Sequence, residues 1–151
     1  MDSNGDGIGD LRGIISRVPY LQKLGVDAVW LSPFYPSELA DGGYDVADYR
    51  NVDPRLGTLD DFDAMTTALH DAGIKLIVDI VPNHTSDQHE WFQAELAADG
   101  PSPEGNCYIW TTQDPGDGWG IDLPGIPAWV RPPGPRPGWY LKNFYDSQPA
   151  L

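Results

Sequence analysis

Leu11, Ile14, Ile15, Val18 and Leu21 recur at spacings of one, three and four, the signature of a helix with one buried face. Pro19 falls inside that run and removes a backbone donor, so residues 11–24 are expected to kink or to split into two short helices. Gly25 then supplies the stop. Residues 26–31 are short and apolar and read as a strand closed by Ser32-Pro33, with a loop expected over 34–57. Thr58-Leu59-Asp60-Asp61 has the capping-box form, with two carboxylates facing the positive end of the helix dipole. Leu59, Phe62, Met65, Leu69 and Ala72 continue that helix, and Gly73 ends it. Residues 74–81 are then almost continuously apolar until Asp79, the pattern of a strand covered on both faces in a parallel sheet. Helix–strand–helix–strand at this rhythm predicts an α/β fold, and a (β/α)₈ TIM barrel in particular.

Beyond Pro82 the texture changes. A short helix is expected over 87–98. Prolines then crowd the chain, from Pro101 to Pro137, among many glycines. Tyr108-Ile109-Trp110 and Trp139-Tyr140-Leu141 are the candidate strands of this irregular excursion. The expected division is therefore 1–84 as part of a barrel and 85–151 as an inserted loop domain.

A formal net charge of −14 argues against nucleic acid and anionic membrane surfaces as partners. Six Trp and seven Tyr offer flat apolar faces of the kind that suit sugar rings, although most aromatics simply fill cores. The single Cys107 excludes an intramolecular disulfide and reads as a small buried side chain. No apolar run reaches membrane-spanning length and no secretory signal is visible, so a cytoplasmic setting is expected.

The opening loop carries candidate chemistry of its own. Asp2, Asn4, Asp6 and Asp10 stand at offsets 1, 3, 5 and 9, with the carbonyl of Ile8 at offset 7. A hard cation such as Ca²⁺ takes six to eight oxygens, and this spacing offers them from one glycine-rich turn. An EF-hand would need Glu at offset 12, where this chain has Gly13, so a calcium loop of another kind is expected. The same residues also suit a polar turn capping a helix at Asp10, and the two roles are compatible.

In a (β/α)₈ barrel the active site is built from strand ends and the loops after them. The loop after the first strand here holds Asp41-Gly42-Gly43-Tyr44-Asp45, with Asp48-Tyr49 close behind. The second strand ends in Asp79-Ile80-Val81-Pro82-Asn83-His84. A carboxylate at a buried strand end is costly without a partner or ligand. Singly, Asp79 reads as half of a salt bridge and His84 as a satisfied interior histidine; together they suggest a site.

Residues 79–84 resemble the first conserved region of the α-amylase superfamily of glycoside hydrolases, Asp followed by three residues, Asn and His. The loop 2–10, Tyr44-Asp45-Val46-Ala47-Asp48-Tyr49 and His84-Thr85-Ser86-Asp87 are similar to the oligo-1,6-glucosidase and α-glucosidase branch, which includes dextran glucosidases and trehalose synthases. Gln148-Pro149-Ala150-Leu151 looks like that branch's short loop-domain motif. The resemblance runs over essentially the whole chain.

It implies a glycosidase in carbohydrate metabolism that releases glucose from the non-reducing end of an α-glucoside with retention. Asp41 would bond the terminal glucose hydroxyls, Tyr44 would lie beneath that sugar, and His84 would donate to its primary hydroxyl. Asp79 would act by positioning, and Phe144 and Gln148 would line the pocket. Relatives often place Phe five residues before the counterpart of Trp129, where this chain has Pro124. Retention needs two carboxyls roughly 5 Å apart. The family holds both after its fourth and fifth strands, so this chain is expected to be a fragment without nucleophile or acid/base, inactive alone. A trehalose synthase-type isomerase and a non-catalytic, transporter heavy-chain-like relative are the alternatives.

Overall fold

The computed structural model describes residues 1–98, 107–116, 127–134 and 136–151. They form two compact units. One holds Met1–Pro36 and Tyr49–Ile80, the other Ser37–Asp48 and Val81–Leu151. The longer stretch of the second unit thus begins four residues before the expected boundary at 84/85, and the unit also takes in an earlier stretch of the chain. Pro124 lies outside the described residues.

In the first unit the Pro19 break gives two short helices, α1 (Leu11–Ile15) and α2 (Val18–Leu24). Pro19 occupies the first turn of α2, where its missing N–H costs nothing. Gly25 closes α2 in the left-handed conformation at φ 78°. Strand β1 (Ala28–Leu31) pairs in parallel with β2 (Lys75–Val78), in register from Ala28 opposite Lys75 to Leu31 opposite Val78. Helix α3 (Leu59–Asp71) connects them. Its capping box is complete: Thr58 Oγ1 accepts from the Asp61 amide, and the Asp61 carboxylate accepts from that of Thr58. Asp61 also takes the Arg12 guanidinium at 2.6 Å, tying α3 to α1. Leu11, Val18, Phe34, Tyr35, Val52, Met65, Leu69 and Ile74 are the buried apolar residues of this unit's interior.

The doubly buried strand expected over 74–81 is not what forms. β2 is four residues long, and Ile77 and Ile80 are 53% and 71% exposed. Trp30 on β1 is 58% exposed. Among the described residues β1 and β2 have only each other as sheet partners, so neither receives the flanking cover that its apolar sequence is suited to. The observed architecture is α/β with one β–α–β unit; a closed barrel is absent among the described residues.

Among its described residues the second unit contains α4 (Glu90–Ala97) and three short strands, β3 (Trp110–Thr111), β4 (Trp129–Val130) and β5 (Trp139–Leu141), antiparallel in the order β3-β5-β4. His89 caps α4, its Nδ1 accepting from the Trp91 amide. Phe92, Tyr108 and Tyr140 form the core, with Leu96, Cys107, Trp110 and Val130 against it. Cys107 is half-buried rather than fully enclosed. Glu95, only 1% exposed, organises the excursion. Its carboxylate accepts from the Cys107 amide at 2.7 Å and from Trp110 Nε1 at 2.6 Å. The Arg136 guanidinium donates to the Glu95 carbonyl and lies 4.0 Å over the Trp110 ring. Gly138, at φ 99°, lets β5 approach β3 where an added Cβ would sit 2.2 Å from the Thr111 carbonyl oxygen.

Candidate functional site

The segment Ser37–Asp48 is shaped by a single carboxylate. Asp45 is fully buried. Its Oδ1 accepts from Ser37 Oγ at 2.7 Å and from the Asp41 amide at 3.2 Å, and its Oδ2 accepts from the Ala40 amide at 3.3 Å. A charge with no exposure is tolerable only when its lone pairs are satisfied in this way. The Tyr44 amide donates to the Asp41 carbonyl at 3.0 Å and closes the turn. Asp45 therefore fixes the backbone from which Asp41 and Tyr44 project.

The strand-end segment 83–87 lies against the end of the chain. His84 bridges Ala150, the Thr85 amide donates to the Pro149 carbonyl, and the Ser86 amide donates to the Val46 carbonyl at 2.7 Å. His84 is buried, with Nε2 3.1 Å from the Tyr44 carbonyl oxygen and Nδ1 3.1 Å from Asn83 Oδ1. Asn143 Nδ2 donates to the same Asn83 oxygen at 3.0 Å. Burial holds the His84 pKa below the ordinary imidazole value, against the opposing pull of the Tyr44 carbonyl and the Asp41 and Asp45 carboxylates.

The turn 142–148 completes the cluster. The Lys142 ammonium, itself buried, pairs with the Asp146 carboxylate, and Tyr140 Oη donates to the Asp146 carbonyl at 2.6 Å. Phe144 meets the His84 ring edge-on at 5.4 Å between centroids and is 46% exposed. Gln148 Nε2 donates to Asp41 Oδ2 at 2.9 Å. Gln148, Asp41, Tyr44, His84 and Phe144 are thus linked, each to the next, within the second unit. A partly exposed carboxylate, an imidazole and an aromatic edge side by side are suited to a polyhydroxylated ring, with acceptors and donors for hydroxyls and a flat face for C–H groups.

Asp79 belongs to the first unit, immediately after β2, and is half-buried. Its amide donates to the Leu31 carbonyl and its carbonyl accepts from Tyr35 Oη at 3.0 Å. Desolvation, with the Asp79 carboxylate nearby, raises the Tyr35 pKa. Tyr49, next to Tyr35, is pushed up to about 12, mainly by burial.

The loop 2–10 is closed on its own amides. Asp2 accepts from the amides of Asn4, Gly5 and Gly7, Asn4 Oδ1 from that of Asp6, and Asp6 Oδ1 from that of Ile8. Asp10 caps α1 through the Gly13 amide at 2.6 Å and holds Ser3 through both its amide and its hydroxyl. These amides, Gly7 foremost for Asp2 and Ser3 for Asp10, keep both carboxylates below their ordinary pKa. Hard oxygen donors are the right chemistry for Ca²⁺. In this conformation, however, no three His, Cys, Asp or Glu side chains gather as a metal site among the described residues. An ion would enter by displacing part of the amide pattern.

Asp45 and Asn143 join the cluster without being candidates from sequence, and Asn83 enters it from the Asp79–His84 motif. For Asp45 a signal existed, since it shares a five-residue motif with Asp41 and Tyr44. For Asn143 there was none, because its partner is 60 positions away.

The model of the alpha amylase catalytic domain matches residues 1–151, the whole chain. The chain belongs to the alpha-amylase family. An alpha-glucosidase of Culex pipiens is 46% identical over 155 residues, a match covering 100% of this chain and 26% of that protein. A trehalose synthase/amylase of Mycolicibacterium smegmatis is 54% identical over 110 residues, 73% of this chain and 18% of that protein. Among solved structures, the trehalulose synthase MutB of Pseudomonas mesoacidophila superposes with TM-score 0.89 at 41% identity, covering 99% of this chain and 27% of that one. An alpha-glucosyl transfer enzyme, XgtA, gives TM-score 0.89 at 44% identity, covering 100% and 28%. This alpha-amylase family chain matches about a quarter or less of the length of these relatives. No helix among its described residues is long and apolar enough to cross a membrane.

Proposed function

We propose that this chain supplies the sugar-binding wall of an exo-acting, retaining α-glucosidase of the oligo-1,6-glucosidase type, built on a (β/α)₈ barrel with 85–151 as its loop domain. The observation that carries this reading is the linked cluster Gln148–Asp41–Tyr44–His84–Phe144 in an alpha-amylase family chain. Asp41 accepts from the hydroxyls of the terminal glucose. Tyr44 lies beneath that ring, and His84, whose Nε2 faces the Tyr44 carbonyl, reaches the primary hydroxyl by exchanging that carbonyl for the sugar. Phe144 forms the rim, and Asp79 acts by positioning. No residue of this chain is assigned as nucleophile or acid/base. Retaining chemistry at this site draws on two further carboxyls of the whole protein. Ca²⁺, where bound, would be held by Asp2, Asn4, Asp6, the Ile8 carbonyl and Asp10, and would pin the loop electrostatically.

A second reading, isomerisation or glucosyl transfer, is favoured by the likeness to trehalose synthase/amylase and to trehalulose synthase. Product analysis separates the two. The whole protein incubated with maltose yields glucose on the first reading and trehalose on the second. Absence of both products, with p-nitrophenyl α-glucoside also left intact, refutes an α-glucoside-active site.

A further inference from the structure

Gln148 is fully buried, which leaves it no surface for a sugar hydroxyl. Its amide orientation is dictated by its neighbours. The Asp41 carboxylate can only accept, so it faces Nε2 at 2.9 Å; the Tyr145 amide can only donate, so it faces Oε1 at 3.1 Å. The Gln148 amide in turn donates to the Tyr145 carbonyl at 2.9 Å, so backbone and side chain grip one turn. Asp41 is held from two directions: its amide by the buried Asp45, and its Oδ2 by Gln148. Oδ1 of Asp41 is the oxygen that Gln148 leaves for other partners.

We propose that Gln148 is a positioning residue, a clasp that fixes the rotamer of Asp41 and selects which carboxylate oxygen meets the substrate, rather than a group that touches the sugar. This rests on the α-glucoside reading for its kinetic consequence, but not for its structural one. The charged and titratable groups around the clasp are Asp41 itself, Asp45 on the same loop, His84 on the bridge to Ala150, and the Lys142–Asp146 pair on the same turn.

The decisive variant is Gln148→Glu in the whole protein, which keeps shape and acceptor but sets a carboxylate against Oδ2 of Asp41. Two carboxylates at hydrogen-bond distance cannot both ionise easily, so acid adds a shared proton and restores the donor. With p-nitrophenyl α-glucoside, kcat/KM is expected to fall roughly 10- to 100-fold at pH 7, the worth of one hydrogen bond to a charged group. Most of that loss, relative to wild type, should return at pH 5. Gln148→Met, of similar shape but without a donor, should show the loss and no acid recovery. A Gln148→Glu protein within about twofold of wild type at pH 7, or a loss that runs parallel to Gln148→Met at every pH, overturns the clasp. A substrate-free measurement stands beside this. The Asp41 carboxyl carbon, followed by NMR, should titrate in two coupled steps in Gln148→Glu. A titration identical to wild type overturns the clasp even if the protein proves inactive on α-glucosides, a result that would refute the functional reading instead.

Discussion

Replacing Asp45 by Asn tests whether one buried carboxylate holds the loop that bears Asp41. Asn retains one acceptor oxygen, and the better placement keeps it toward Ser37 Oγ at 2.7 Å and the Asp41 amide at 3.2 Å. The new NH₂ then faces the Ala40 amide, donor against donor, where Oδ2 had accepted at 3.3 Å. Flipping the amide does not relieve this, because the NH₂ would then face the Asp41 amide, another donor. Losing one hydrogen bond to a charged acceptor costs about 1.5–3 kcal/mol. The two remaining bonds lose their ionic assistance, and a charge-assisted bond is roughly twice as strong as a neutral one, so about 0.5–1 kcal/mol is forfeited at each. The total, about 2.5–5 kcal/mol, is a large share of the 5–15 kcal/mol that typically separates folded from unfolded chains. Urea unfolding should show a lower midpoint at unchanged slope, and the Ala40 and Asp41 amides should exchange hydrogen faster than in wild type. A destabilisation under about 1 kcal/mol, with those two amides still protected, would show that the loop does not depend on this carboxylate.

Two further outcomes follow from the charges. Burial lowers the pKa of His84 and His89 below the ordinary value of 6.5, so the unfolded chain takes up protons first as pH falls. Stability from this source is complete above 6.5 and is lost as pH drops through the folded values; melting at pH 7.5 and pH 5 checks it, and a Tm that rises on acidification would contradict it. Calcium, if it enters the loop 2–10, should raise Tm by about 5–10 °C once it exceeds its dissociation constant a hundredfold, and Asp2→Asn with Asp6→Asn should abolish the rise. A Tm indifferent to Ca²⁺ over that range removes the loop from consideration as a calcium site.

The parts of the fold that were legible in the sequence are those set by local chemistry. Pro19 splits a helix, Gly25 ends one and Thr58 starts another, because each acts on its own few residues. Strand β4 at Trp129–Val130 escaped because two residues carry no period; what makes them a strand is Leu141 and Tyr140 opposite. The cover over β2 was overestimated for a related reason: its apolar run records the surroundings a strand suits, while its exposure depends on which partners are present. In the site, Asp41, Tyr44 and His84 are picked out by motif, and Asp45 shares that motif without its role being legible there. Its importance lies in three donors from residues that only the folded loop gathers.

The interleaved division of the chain has a consequence for its birth on the ribosome. Asp41 leaves the exit tunnel long before Gln148, which is 107 positions behind it. At typical translation speeds of about 5–20 residues per second, that is a wait of roughly 5 to 20 s. Throughout that interval the stretch Ser37–Asp48 has Asp45 to shape it and, once they emerge, His84 and Ser86 to dock against, while the Asp41 carboxylate still waits for its clasp. A nascent chain stalled before position 148 should therefore expose this stretch to proteases that the finished protein resists.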